Sequence, residues 1–210
     1  MKFEQYHSIE MHRKKETEDS NRILVLTGLS GSGKDFLIDE LKKSGNVPEN
    51  ITTVSFGEKL FQEIKKQFPE IENRDQLRRI SNYDLVWGVN NVIETIIREQ
   101  PVLLNTHVVY KQDGSLTTNP SVDKKINAGG YVFVWTDPEQ IRIWREKDQT
   151  RKRERGTIED ISLDQSIALV VTAKIASHNG SAFHTIENRA DNARHNIDLL
   201  SAYLQEAGVK

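Results

Sequence analysis

The sequence contains no cysteine. This absence excludes a disulfide framework, thiol catalysis and zinc sites built on cysteine. The formal net charge is only −2, which offers no reason to expect a nucleic-acid or membrane partner. No segment approaches the roughly 20 apolar residues of a membrane-spanning helix, and the N-terminus has no apolar signal-peptide core. We therefore expect a cytoplasmic protein.

The remaining composition is that of an ordinary globular chain. Of 210 residues, 36% are hydrophobic and 29% are charged. This length suits one domain with a core of good size. Residues 1–20 include a run of mixed charge, which is typical of a solvated extension. We expect a charged N-terminal extension over residues 1–20 and a single domain over residues 21–210.

A glycine-rich stretch stands between an apolar run and an amphipathic run. It reads Gly28-Leu29-Ser30-Gly31-Ser32-Gly33-Lys34. This is the strand, loop and helix of a P-loop, the motif that binds nucleotide phosphates. Glycine allows backbone N–H groups to turn towards phosphate oxygens, and the lysine adds a mobile positive charge. The spacing therefore predicts an ATP-binding site.

The residue after the lysine departs from the motif. A serine or threonine is expected there, because its hydroxyl binds Mg²⁺. This chain has Asp35 instead. A carboxylate is also a good ligand for Mg²⁺, and the alternative is an acid that only stabilises the first turn of the helix. Both interpretations remain open for Asp35.

Apolar runs and helical patterns alternate along the rest of the chain. Strands are predicted at residues 23–26, 51–56, 102–104, 131–135 and 183–186. Helices are predicted at residues 36–41, 60–68, 74–100, 138–146, 158–177 and 189–206. The short, continuously apolar strands are typical of a parallel sheet covered on both faces. The pattern predicts a three-layer α/β fold with a five-stranded parallel sheet.

Two segments exceed what a minimal fold of this type needs. One is the helical insertion over residues 57–100. The other, residues 145–156, holds four arginines and two lysines in twelve positions. A charged run is often a solvated helix end, but phosphoryl transfer needs cations that close over the phosphates. Its position after the fourth strand favours a mobile arginine-rich lid.

Several motifs occur in an order that resembles the archaeal-type adenylate kinases, a branch of the P-loop nucleoside monophosphate kinases. The resemblance covers about residues 22–206. It rests on the P-loop and on the following stretches: Val54-Ser55-Phe56-Gly57, Asn73-Arg74-Asp75-Gln76-Leu77-Arg78, Asn105-Thr106-His107, Asp148-Gln149-Thr150-Arg151-Lys152-Arg153 and Glu187-Asn188-Arg189. It implies a kinase that uses ATP, Mg²⁺ and a nucleoside monophosphate acceptor.

The resemblance also implies roles for individual residues. Those expected to bind ATP are Gly28, Ser30, Gly31, Ser32, Gly33, Lys34, Asp35, Phe36, Asn188 and Arg189. Those expected to shape the acceptor site are Ser55, Phe56, Gly57, Arg74, Arg78 and His107. Those expected to act on the transferred phosphoryl group are Lys34, Arg145, Arg151 and Arg153. For the arginines near residue 74, an exposed helix face is the alternative interpretation.

The chain also departs from the family pattern. The family usually has Asp where this chain has Asn105, so an amide stands where a carboxylate is expected, and the Asp35 carboxylate stands where a hydroxyl is expected. Two interpretations stay open: the two changes compensate each other, or the protein binds ATP but transfers phosphate poorly. We expect Asp35 and Asn105 to be the magnesium positions. The helix after the lid usually carries an arginine, but between Thr157 and Gly180 the only cation of the Lys or Arg type is Lys174.

Three functions are compatible with these features. The first is a nucleoside monophosphate kinase of adenylate kinase type. The second is a small-molecule kinase with another acceptor. The third is an ATP-binding, slowly hydrolysing switch for a protein or ribonucleoprotein partner. The predicted loop over residues 108–120, with an Asp113-Gly114 turn, is where we expect the acceptor to be selected.

Overall fold

The fold is described from a computed structural model. It describes residues 22–48, 50–112, 115–118, 125–148, 156–189 and 191–209. Within these ranges, the side chains of Asp75, Arg78, Arg79, Lys111, Gln112 and Ser115 are not described. The predicted extension at residues 1–20 and most of the predicted lid, including Arg151 and Arg153, lie outside the described residues.

Five parallel strands form the central sheet. They are β1 (Ile23–Thr27), β2 (Thr52–Ser55), β3 (Val102–Asn105), β6 (Gly130–Trp135) and β7 (Ala182–Glu187). Their spatial order is β2-β3-β1-β6-β7. The predicted five-stranded parallel sheet is confirmed. Because all strands run in one direction, their carboxyl ends share one edge, and β1 ends in the middle of it.

Helices connect the strands. The α-helices are α1 (Lys34–Lys43), α2 (Phe56–Gln67), α3 (Asn82–Arg98), α4 (Pro138–Lys147), α5 (Ile158–Asn179) and α6 (Ala193–Glu206). A 3-10 helix spans Arg74–Arg79. No helix in the described ranges is long and apolar enough to cross a membrane.

The sheet separates two apolar cores because successive strand side chains point to opposite faces. Along β1, Ile23 and Val25 enter a core shared with α3 and α5, whereas Leu24 and Leu26 enter a core shared with α1 and α6. Both faces of the strand are therefore buried, which explains its continuously apolar sequence. The three-layer arrangement holds the strand ends, and the loops that follow them, in fixed positions.

The structure corrects three predicted boundaries. The helix predicted over residues 74–100 is two elements, because Ile80 is extended and the Ser81 side chain caps α3 by accepting a hydrogen bond from the Asp84 N–H. The last helix starts at Ala193 rather than near Arg189, since the Asn192 side chain accepts a hydrogen bond from the Arg189 N–H and closes a turn there.

The third correction concerns the predicted loop at residues 108–120. Two short antiparallel strands, β4 (Val109–Gln112) and β5 (Ser115–Thr118), form a hairpin there. The predicted turn residues Asp113 and Gly114 lie outside the described residues. An Asp-Gly pair between two short strands is a hairpin signal, and we predicted only a turn within a loop.

Candidate active site

The phosphate loop lies at the carboxyl end of β1, between β3 and β6. Gly28, Gly31 and Gly33 have positive φ angles of 145°, 88° and 81°. Such angles are costly for residues with a Cβ atom. At Gly33 a Cβ would also overlap the Asn188 side-chain amide. All three glycines are thus required by the turn, and Gly33 is also required by the Asn188 side chain packed against it.

Lys34 folds back over the loop that precedes it. Its Nζ donates hydrogen bonds to the carbonyls of Leu29 and Gly28, at 2.8 and 3.1 Å, and lies 3.4 Å from Ser32 Oγ. The side chain is only 6% exposed. The ammonium group is therefore held inside the loop, where the predicted phosphate site lies.

Side chains from other elements also hold the loop carbonyls. His107 follows β3, and its Nδ1 lies 2.8 Å from the Gly28 carbonyl. Since that oxygen can only accept, Nδ1 carries the proton. Arg145, at the end of α4, donates from Nε to the Ser30 carbonyl at 2.9 Å. His107, which we predicted to shape the acceptor site, and Arg145, which we predicted in the lid, thus both contact the phosphate loop directly.

The Ser32 carbonyl has two donors. Asn188 Nδ2 and Thr136 Oγ1 each donate to it at 2.9 Å. Thr136 and Asn188 directly follow β6 and β7, so the ends of two strands hold one peptide group of the loop. The predicted ATP-binding residue Asn188 therefore contacts the phosphate loop at the Ser32 carbonyl.

Sequence reasoning missed Thr136 and its partner Gln165. The Gln165 side chain, on α5, donates to the Thr136 carbonyl at 2.8 Å and accepts from the Thr136 N–H at 3.0 Å. A polar residue just after a buried strand was the available signal for Thr136. Gln165 had none, because a glutamine in a helix is usually solvated.

The two predicted magnesium positions lie together. Asn105, the last residue of β3, donates from Nδ2 to Oδ1 of Asp35, in the first turn of α1, at 2.5 Å. Asn105 is 9% exposed, whereas Asp35 is exposed. Among the described residues, no three His, Cys, Asp or Glu side chains are grouped closely enough to hold a metal ion.

The predicted acceptor residues lie at the start of α2. Ser55 is the residue before the helix and pairs in register with Asn105. Phe56 is buried and belongs to the apolar core. The Arg74 guanidinium lies directly over Gly57, where a Cβ would overlap it. It also lies 4.0 Å from Glu58.

The remaining predicted site residues lie at the periphery. Phe36 is half exposed in the first turn of α1. Arg189 is an exposed side chain after β7, and its guanidinium lies 3.7 Å from Glu187 and 3.5 Å from Asp191. The side chain of Arg78 lies outside those that the structure describes.

Comparisons with known proteins agree with this geometry. A family model described as "AAA domain" matches residues 27–162, more than half of the chain. Adenylate kinase of Thermoplasma acidophilum is 32% identical over 178 residues, covering 82% of this chain and 94% of that protein. Adenylate kinase of Pyrococcus abyssi is 29% identical over 174 residues, covering 80% and 87%.

Two solved structures share the fold. A shikimate kinase from Bacteroides thetaiotaomicron superposes with a TM-score of 0.53 at 14% identity, covering 87% of this chain and 98% of that one. A shikimate kinase from Acinetobacter baumannii, in complex with shikimate, gives 0.50 at 15% identity, covering 90% and 95%. At these identities the likeness shows the kinase fold alone.

Proposed function

We propose that this chain, which belongs to the archaeal-type adenylate kinase family, transfers the γ-phosphoryl group of ATP to AMP and so forms two ADP. One observation carries the donor half of this proposal. The carbonyls of Gly28, Leu29, Ser30 and Ser32 each accept a hydrogen bond from a side chain. Because the C=O and the N–H of a trans peptide point in opposite directions, carbonyls held by side chains leave the N–H groups of the loop to face phosphate oxygens.

The acceptor half rests on Arg74 and the start of α2. A helix N-terminus carries a partial positive charge, and an arginine beside it adds a planar cation that pairs with two phosphate oxygens. Arg74 packs on Gly57 in the first turn of α2. This combination favours an acceptor with a phosphate group, as in AMP. We assign Ser55, Gly57 and Arg74 to the acceptor site and keep Arg78 and His107 as further candidates for it.

The two sites meet along the sheet edge. Ser55 pairs with Asn105 in register, and Asn105 contacts Asp35 in the first turn after the phosphate loop. The start of α2 and the start of α1 are thus connected through one residue of β3. This arrangement supports direct transfer of the phosphoryl group. An acceptor phosphate oxygen attacks the γ-phosphorus of ATP, and the bond between the γ-phosphorus and the β–γ bridging oxygen breaks.

Cations would stabilise the charge on the transferred group. Lys34 is already held within the loop, and Arg145 reaches it from α4. We assign the same task to Arg151 and Arg153, which follow α4 in sequence. Closure of positive side chains over the phosphates is the main source of rate enhancement in phosphoryl transfer.

The residues at positions 35 and 105 fit a magnesium ion. Mg²⁺ is usually held by one or two carboxylates together with the substrate phosphates. Asp35 supplies an exposed carboxylate beside the loop, and the Asn105 side-chain amide donates a hydrogen bond to that carboxylate. When bound, the ion would neutralise charge on the β- and γ-phosphates. We propose that Asp35 is its main protein ligand and that Asn105 orients that carboxylate.

The adenine of ATP is assigned to the segment after β7. Asn188 is fixed on the Ser32 carbonyl, and Arg189 is the next residue along the chain. Arg189 has a planar guanidinium that is suited to stacking on a base. Its two carboxylate neighbours, Glu187 and Asp191, would limit its motion.

An acceptor panel tests the proposal. ADP formation from Mg-ATP would be measured with AMP, other nucleoside monophosphates, shikimate and no acceptor. We expect AMP to raise ADP formation far above the acceptor-free rate, with two ADP formed per ATP consumed. A preference for shikimate would indicate a small-molecule kinase. ADP formation that no acceptor increases would indicate an ATPase, and either result would contradict the proposal.

A further inference from the structure

A buried polar cluster connects the middle of α5 to the phosphate loop. Its members are Gln165, Thr136, Ser32 and Asn188, and all are at most 3% exposed. Gln165 binds both backbone groups of Thr136, and the Thr136 hydroxyl and the Asn188 amide bind the Ser32 carbonyl. Each hydrogen bond measures 2.8–3.0 Å.

The Gln165 amide acts on Thr136 as a neighbouring strand would. Thr136 is the first residue beyond β6, where the pairing of the sheet ends. By bonding both its N–H and its carbonyl, Gln165 fixes the orientation of this one residue. Buried polar groups are costly unless paired, so a paired glutamine inside a core indicates a specific positional requirement.

The orientation of Thr136 determines that of a loop peptide. Its hydroxyl and Asn188 hold the Ser32 carbonyl towards the ends of β6 and β7. In a trans peptide the following N–H points the opposite way. The Gly33 N–H is thereby directed away from β6 and β7, towards the inside of the loop. This N–H is one of those that a nucleotide phosphate would need.

We propose that Gln165 and Thr136 are positioning residues for the phosphate loop. Through the Ser32 carbonyl they hold the Gly33 N–H ready for phosphate before ATP arrives. The inference rests on the proposed function, because it assumes that the loop binds the phosphates of ATP. It adds that α5, the helix after the predicted lid, contributes to phosphate affinity without touching the ligand.

Calorimetric binding of tripolyphosphate and of ATP tests this inference. Tripolyphosphate probes the loop alone, because it has no base or sugar. Thr136→Val removes only the hydroxyl donor, and Gln165→Met removes both bonds to Thr136 at similar volume. We expect each variant to bind tripolyphosphate and ATP about tenfold more weakly, which is equivalent to about 1.4 kcal/mol. The KM for AMP should change less than twofold. Thr136→Ser, which keeps the hydroxyl, should recover affinity to within threefold.

Thr172→Val is the matched control. Thr172 is equally buried on α5, and its hydroxyl donates at 2.7 Å to the Ala168 carbonyl of the same helix. We expect this variant to lower the melting temperature slightly and to leave tripolyphosphate affinity unchanged. An equal loss of affinity in Thr172→Val would overturn the inference.

The remaining outcomes are also decisive. Unchanged tripolyphosphate affinity in folded Thr136→Val or Gln165→Met overturns the inference, and either variant decides alone if the other does not fold. Failure of Thr136→Ser to recover affinity overturns it too. Binding of neither tripolyphosphate nor ATP by the unaltered protein would instead refute the proposed function itself.

Discussion

Asn105 donates a hydrogen bond of 2.5 Å to the carboxylate of Asp35, joining the end of β3 to the first turn of α1. The usual family pattern has a hydroxyl at the position of Asp35 and a carboxylate at that of Asn105. This chain has one carboxylate and one polar neutral group at the same two places, in exchanged order. Direct contact between them supports a shared task.

The exchange is tested by swapping the two residues back. Asp35→Ser should lower Mg²⁺-dependent kcat/KM, by about 10- to 100-fold if it removes a metal contact. Asn105→Asp should also be harmful, because two adjacent carboxylates repel unless an ion is bound. The double variant should exceed either single variant, since residues that share one partner are non-additive.

The measurement is kcat/KM as a function of Mg²⁺ concentration for all four proteins. Losses that simply add at saturating Mg²⁺ would contradict the exchange. In that case Asp35 would be an acid that stabilises the start of α1, where negative charge is favoured.

Lys34→Ala should remove most phosphoryl transfer. Losing a preorganised donor to developing charge typically costs about 10²- to 10³-fold in kcat. The Leu29 carbonyl keeps a second partner in the Ser32 N–H, and His107 stays on Gly28. We therefore expect the variant to fold, as circular dichroism would verify. Lys42→Ala, an exposed lysine on the same helix, is the control. Near-normal turnover in Lys34→Ala would refute the role of the P-loop.

The lid arginines should divide into two kinds. Arg145 contacts the Ser30 carbonyl, so Arg145→Ala should raise the KM for ATP and also lower kcat. Arg151→Ala and Arg153→Ala should mainly lower kcat, by about 10³-fold if they contact the transition state. Steady-state kinetics with ATP varied at saturating AMP separates these effects. If kcat is unchanged in both the Arg151 and the Arg153 variant, residues 151–153 would be a solvated charged segment with no role in phosphoryl transfer.

Gly57→Ala should selectively weaken binding of the acceptor. The added methyl would overlap the Arg74 guanidinium, the mobile end of a side chain, and would displace it. We expect the KM for AMP to rise about tenfold, as for loss of one charge-assisted hydrogen bond, with the KM for ATP unchanged. Arg74→Ala should have the same effect. Equal increases in both KM values would refute an acceptor-specific role.

Glu63 gives a prediction about stability and pH. The Lys66 ammonium, and to a smaller extent the Asn91 amide of α3, hold the pKa of Glu63 below its usual value of 4.5. A carboxyl whose pKa is lower in the folded state stabilises the fold above the unfolded pKa. That stabilisation disappears as the pH falls through the folded pKa.

Glu63→Gln should therefore lower the free energy of unfolding at pH 7 by up to about 1 kcal/mol. The difference from the parent should shrink as the pH falls below 4.5, as measured by urea denaturation. A difference that persists at low pH would show that the charge of Glu63 is not the cause.

Local patterns predicted the central fold well. Continuous apolar runs located β1, β3 and β6, because a strand covered on both faces has no polar side. The β-branched residues of β2 located that strand, and β7 gave a weaker signal. The spacing of the glycines and Lys34 located the phosphate loop, because few other loop conformations require glycines and a lysine at these positions. The break before α3 was missed, although Ser81 three residues before Asp84 is a helix-start signal.

The contacts that make the candidate site depend on residues far apart in sequence. Asn105 and Asp35 are 70 positions apart, and Asn188 and Ser32 are 156 apart. No spacing rule links such positions. They meet because the register of β1, β3, β6 and β7 brings the strand ends to one edge.

The sequence by itself therefore determined the order of the five sheet strands, the phosphate loop and the residue types around it. The tertiary structure decided which carbonyl each side chain holds, that Asn105 contacts Asp35, and that Gln165 reaches Thr136. The physical reason is that short-range patterns arise from backbone geometry and burial. A hydrogen bond between distant residues exists only once the sheet and its helices have packed.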